Sequence, residues 1–150
     1  MTGDEVQIEM VVEAPPALVF ELFVDPALLV RWIGISATLE PRPGGRFRFE
    51  LFPGEFCSGE FVAVEPPHRV AFTWGWESGA LPVAPGSSTV DVTLADHERG
   101  TLLRLVHRGL DGPMRAMHTD GWKRFLARLD AVATGREPPP DPAAPYAQQT

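Results

Sequence analysis

From residue 70 to 76 the chain reads VAFTWGW. Strand alternation puts Val70, Phe72, Trp74 and Trp76 on one face and only Ala71, Thr73 and Gly75 on the other. The same period of two recurs along most of the chain. VQIEMVVEA sets Val6, Ile8, Met10 and Val12 together as a first strand, and GGRFRFEL opposes Phe47, Phe49 and Leu51 to Arg46, Arg48 and Glu50. CSGEFVAVE runs to a Pro66-Pro67 turn. STVDVTLADH alternates Val90, Val92 and Leu94, and GTLLRLVHR sets Leu103, Leu105 and His107 on one side. A further short strand is expected around residues 35–39. The connections are mostly short and hold Gly, Pro and Asp, which favours consecutive antiparallel pairing. The exception is ESGALPVAPGSS, a longer loop directly after Trp76.

Two stretches change period. Pro15 and Pro16 end the first strand and open a helix carrying Val19, Phe20, Leu22 and Phe23 at helical spacing. Asp25 as N-cap and Pro26 at the first helical position start a second short one. After GLDGP, the residues Met114, Met117, His118, Gly121, Trp122, Phe125, Leu129 and Val132 fall on one face of a long helix, with Gly135 suited to its C-cap. The order is strand, two short helices, a meander of strands and one long helix, an α+β arrangement. Residues 1–135 form one domain. Residues 136–150, REPPPDPAAPYAQQT, have the Pro, Ala and Gln content of a flexible extended tail.

Composition narrows the class. At 150 residues the chain is long enough to bury a core without staples, and 44% hydrophobic with 22% charged residues is that of a soluble globular protein. A net charge of −7 with scattered cations, twelve of the thirteen being Arg, argues against a nucleic-acid partner. No stretch reaches the roughly 18 apolar residues of a membrane span, so no membrane insertion is expected. Acidic residues precede any apolar run at the N-terminus, unlike a secretory leader, and the expected location is cytoplasmic. Cys57 is the single cysteine, so an intrachain disulfide and a cysteine-rich metal site are both excluded.

The candidate chemistry is aromatic. Trp74, Trp76 and Trp122 stand on inward faces with Phe49, Phe72, Met117 and Phe125, and two readings apply: they fill the core, or they line a cavity. Trp76, beside the long loop, is placed where a cavity mouth would be and carries an indole N–H to offer a ligand. Gly121 costs helix propensity on a core face, so it either lets the backbone approach the sheet or leaves room beside Trp122. His107 points inward and His118 faces it from the last helix, with Asp111 in the turn between. Such a group suits acid–base chemistry or a metal, or it is a hydrogen-bonded structural pair. No third well-placed ligand accompanies the histidines. GxSxG, Walker, GxGxxG and HExxH motifs are all absent. No metal, cofactor or catalytic residue is assigned, and nothing compels catalysis.

The stretches APPALVFELFVDPALLVRW, PRPGGRFRF, GEFVAVEPPHRVAFTWGW, GTLLRLVHRGL and MHTDGWKRFLARL, in this order across residues 8–132, resemble the START-like (SRPBCC) superfamily. Within it they look like the branch of bacterial activator of heat-shock-protein-90 ATPase homologues. The resemblance implies a helix-grip fold, in which a curved antiparallel sheet of about six or seven strands wraps around the long C-terminal helix. It also implies that Trp32, in RWIG, is a recurrent packing residue with a secondary part in closing a pocket.

Three functional readings follow. The first is a binding protein whose cavity takes an apolar or aromatic small molecule. Its site residues would be Trp32, Phe49, Phe72, Trp74, Trp76, His107, Met117, His118, Gly121, Trp122 and Phe125, with Thr73 and Asp111 as further polar candidates. The second is a cyclase- or hydrolase-like enzyme using His107, His118 and Asp111. The third is the co-chaperone role of the family name, which the resemblance disfavours because the eukaryotic members with that activity carry a further N-terminal domain. A homodimer is an expectation from fold analogy alone.

Overall fold

The computed structural model describes residues 5–143. In chain order the elements are β1 (Glu5–Val12), α1 (Pro16–Val24), α2 (Pro26–Leu29), β2 (Ser36–Leu39), β3 (Arg46–Phe52), β4 (Glu55–Glu65), β5 (Arg69–Trp74), β6 (Ser88–His97), β7 (Gly100–Arg108) and α3 (Gly112–Ala133). The strands form one antiparallel sheet in the order β1-β7-β6-β5-β4-β3-β2. Consecutive strands pair from β2 to β7, mostly across short turns and, between β5 and β6, across the long loop. β1 joins at the far edge beside β7, bringing the two ends of the domain together. Register shifts between Glu50 and Phe52 and between Phe61 and Ala63 add local twist, which helps the sheet curl. The result is the α+β helix-grip fold, with α3 inside the curve.

The helices start where local chemistry dictates. The Asp25 carboxylate accepts from the Ala27 N–H at 2.9 Å, and Pro26 occupies the first turn of α2. Asp111 accepts from the Met114 N–H at 3.4 Å and caps α3 in the same way. The Trp32 indole donates to the Leu22 carbonyl at 2.8 Å and meets Phe23 edge-on, which ties the exit of α2 to α1. Arg128 of α3 reaches back to donate to the Trp32 carbonyl at 3.0 Å, locking the long helix to this pair.

Inside the curve lie Phe47, Phe49, Phe61, Val70, Phe72, Trp74, Val90, Val92, Leu94, Leu103 and Leu105, all buried. The outer face carries cross-strand ion pairs such as Arg104–Glu9, Arg108–Glu5 and Arg69–Asp91. Arg48, on the polar face of β3, pairs with Glu77 at 2.8 Å and lies over the Phe56 ring.

Three details differ from the sequence pattern. β5 stops at Trp74 because Gly75 leaves the ladder: a Cβ there would lie 2.0 Å from the Ala84 carbonyl oxygen, so the long loop folds directly onto the strand end. Trp76 continues the strand only as an isolated bridge to Cys57. The inward stripe of α3 is rotated from the one its periodicity indicates, since Met117 is 46% exposed while Leu126 and Ala131 are buried. Part of the segment read as a tail lies against the domain: the Arg128 guanidinium meets the Pro139 carbonyl, and Ala143 is buried within the hydrophobic core. Residues 144–150 of that segment lie outside the described residues.

Candidate functional site

Trp74 is the hub of the interior. Its ring centroid stands 5.1 Å from Trp122, 5.4 Å from Trp76, 5.5 Å from Phe49 and 5.4 Å from the His107 imidazole. Phe72, two residues earlier on the same face, stacks on Phe47 at 3.9 Å. β5 supplies Trp74 by alternation, the bridge to Cys57 holds Trp76 in line with it, and α3 brings Trp122 down from above. Three of the four indoles thus meet in one layer, between the concave sheet face and the helix.

The polar atoms of this layer satisfy one another. The Trp76 and Trp74 N–H groups both donate to His118 Nε2, at 3.2 and 3.4 Å. Indole nitrogen can only donate, so His118 Nε2 must be the acceptor and its proton must sit on Nδ1. That proton is donated to the Met114 carbonyl one helical turn back, at 2.7 Å. His107 has the opposite tautomer. Trp122 donates to its Nδ1 at 3.0 Å, so its proton is on Nε2, facing the Ser88 hydroxyl at 2.9 Å. Ser88 passes its own proton to the Trp74 carbonyl at 2.9 Å. The two imidazoles stand perpendicular, 5.3 Å apart, and neither can take a second proton without turning away an indole donor.

Electrostatics agree with this geometry. Burial pushes His107 from 6.5 down to about 3, with the neighbouring His118 as the second cause. Burial also lowers His118, partly opposed by its bond to the Met114 carbonyl. Both are neutral at physiological pH. Burial raises the Cys57 thiol well above its ordinary range, leaving it a buried apolar side chain rather than a thiolate.

The acid–base grouping does not assemble. His107 and His118 converge, but the Asp111 carboxylate is occupied in capping α3. Ser88 and His107 resemble a nucleophile–base pair, yet the tautomer is wrong: His107 Nε2 carries the proton and cannot accept one from Ser88. Among the described residues, no group of three or more His, Cys, Asp or Glu side chains is placed to hold a metal ion. No helix among them is long and apolar enough to cross a membrane.

The remaining sequence candidates scatter. Phe125 is buried under α3, whereas Trp32 packs with Phe23 between the short helices. Thr73 faces the other way, its hydroxyl accepting from the Glu60 N–H at 2.8 Å. It borders an outer cleft of about 480 Å³ with Arg46, Arg48 and Glu77. A second cleft of about 480 Å³ lies between α1 and the β2 side, against Phe20, Val24 and Leu39. A Cβ on Gly121 would meet nothing within 4 Å, so this half-buried glycine permits no close approach to the sheet, and neither cleft is lined by Gly121 or Trp122.

Three buried polar residues were passed over in the sequence, although parity marks them; one, Thr101, shares the phase of Leu103 and Leu105 and donates to the Ala14 carbonyl at 2.7 Å. Ser88 shares the inward phase of Val90, Val92 and Leu94. Glu55 shares that of Cys57, which faces Phe49 across the ladder. Glu55 is only 9% exposed and takes the Ser78 hydroxyl on Oε2 at 2.8 Å. A polar residue at an inward position of a strand was the available signal.

Comparison with known proteins places this architecture. No curated protein matches the chain. Among solved structures, an AHSA1-like protein from Rhizobium etli is 42% identical, with a TM-score of 0.71 over 92% of this chain and 86% of that one. DynU16, a protein in the dynemicin biosynthetic locus, is 29% identical with a TM-score of 0.77, covering 92% of this chain and 50% of that one. CalU16 from Micromonospora echinospora is 26% identical with a TM-score of 0.68, covering 97% and 80%. The family model described as "Activator of Hsp90 ATPase homolog 1-like protein" matches residues 13–134. With that match spanning most of the domain, the chain belongs to the activator of Hsp90 ATPase homolog 1-like family, on a START-like helix-grip fold.

Proposed function

We propose that the protein binds an apolar or aromatic small molecule at the indole layer between the sheet and α3. The observation that carries this reading is the convergence of Trp74, Trp76 and Trp122 on two neutral histidines in one layer between the sheet and α3. The layer is buried and its polar atoms satisfy one another, so its polarizable ring faces suit a flat hydrophobic partner once the covering loop gives way. Access runs between the first half of α3, where Met117 is already exposed, and the loop 77–87 that closes over Trp76. Ligand arrival displaces that loop, which is held near its middle by the Trp76 N–H bond to the Val83 carbonyl and at its start by Ser78 on Glu55. The place of DynU16 in a biosynthetic locus is in keeping with a small-molecule ligand.

The test is a panel of neutral polycyclic and aromatic probes, followed by thermal shift and by quenching of tryptophan emission. A saturable quench with a raised melting temperature is expected, weakened by Trp76→Ala. If no probe raises the melting temperature and Trp76→Ala leaves the whole panel unchanged, the reading is wrong.

A further inference from the structure

Glu55 is the exception in an otherwise satisfied interior. The indoles of Trp32, Trp74, Trp76 and Trp122, both buried histidines, Ser88 and Thr101 all have partners. Among the described residues, Glu55 Oε1 is the buried side-chain atom that has none. Its sister oxygen holds Ser78, at the start of the loop over Trp76. Pinning that loop needs one oxygen, and a glutamine or serine would serve as well.

The location is specific. Glu55 begins β4, two residues before Cys57 and on the same face. Cys57 lies opposite Phe49 and bridges to Trp76, whose rings are 6.2 Å apart. The carboxylate therefore stands at the Trp76 end of the indole layer. No cation among the described residues pairs with it. The nearest arginine on the adjoining strand, Arg48, is committed to Glu77 and to the Phe56 ring on the outer face. A carboxylate removed from water is strongly disfavoured unless a charge-assisted hydrogen bond completes it.

We infer that Glu55 is a ligand-binding residue, and that the molecule taken up by the indole layer carries a protonated amine which the free Glu55 oxygen receives beside Trp76. The inference rests on the binding reading above and specifies its ligand: an aromatic or apolar body with a primary or secondary ammonium group at one end. The ring of Trp76 adds cation–π attraction to the same group. Neutral hydrocarbons fill the layer but leave Oε1 without a partner, so they bind less tightly.

A matched pair of probes separates this inference from the reading it rests on. 2-Naphthylmethylamine is cationic at neutral pH, and 2-methylnaphthalene is its neutral counterpart; both are titrated into the full-length protein by calorimetry. The amine is expected to bind about tenfold more tightly, the scale of one charge-assisted bond. Glu55→Gln, which keeps an acceptor for Ser78, should abolish the preference for the amine over the hydrocarbon. Should Glu55→Gln fail to fold, the carboxyl ¹³C resonance of Glu55 in the native protein serves instead, and it should move with the amine only. Equal affinity for both probes, a preference surviving Glu55→Gln, or an unmoved resonance overturns the role of Glu55 while the binding reading stands. Binding of neither probe overturns both.

Discussion

Lowering the pH should destabilise the fold through His107, and the size of the effect follows from its surroundings. The side chain is 0% exposed, enclosed by β1, β6 and α3: Val6 and Val90 flank it in the ladder, Trp122 donates to Nδ1, and Ser88 occupies Nε2. No carboxylate bonds to it, and the only titratable neighbour is His118, which disfavours a second charge. The folded protein therefore keeps His107 neutral to about pH 3, whereas the unfolded chain takes up a proton near 6.5. Between these values the unfolded state binds more protons, so stability is full above 6.5 and is lost as the pH falls toward 3. From about pH 7 to about pH 5 the loss from this one group is about 2 kcal/mol. For a domain of this size that is a fall of roughly 4–8 °C in melting temperature. His118 acts in the same direction.

The assay is urea unfolding followed by tryptophan emission at both pH values, in the wild type and in His107→Gln, whose amide can reach the same two partners without titrating. Carboxylates contribute equally to both proteins, so the difference between their pH dependences isolates His107. The variant should lose about 2 kcal/mol less over this interval. Imidazole ¹⁵N resonances provide a check that needs no substitution: His107 should remain neutral, with its proton on Nε2, to below about pH 4. An equal loss of stability in both proteins, together with an imidazole that titrates near 6.5, would refute the network of fixed indole donors.

Further outcomes follow from single contacts. Gly75→Ala places a methyl group 2.0 Å from the Ala84 carbonyl oxygen, so loop 77–87 must shift; stability should fall by about 1–3 kcal/mol in urea, and acrylamide should quench Trp76 more readily. Gly121→Ala should raise stability by up to about 1 kcal/mol, because the new methyl meets nothing and helix propensity improves; a lowered melting temperature would show that the space is not open. Trp32→Phe should cost about 1–3 kcal/mol, since it leaves the buried Leu22 carbonyl without its indole donor. Cys57, fully buried with its thiol pushed up, should react with a disulfide reagent only as fast as the domain unfolds, which stopped-flow labelling can measure.

Most of the fold was determined locally. Alternation in VQIEMVV, RFRFEL, STVDVTL and TLLRLVH selects strands and their inward faces, because period two leaves no other way to bury those side chains. Asp25-Pro26 and Asp111 start their helices by bonds to backbone N–H groups two or three residues on, contacts that sequence spacing alone decides. The inward aromatic layer was legible for the same reason. What the layer does with its polar atoms was not. His107 and His118 are eleven residues apart and lie on different elements, and their tautomers depend on indoles delivered by β5, by Trp76 two residues past its end and by α3. Asp111 reads as their partner in the chain but is consumed by the helix it starts. The rotation of the α3 stripe away from Met117, and the end of β5 at Gly75, come from how close two distant segments approach. A hydrogen-bond acceptor has one position in space and many in sequence, so only the closing of the sheet around α3 decided which donor reached it first.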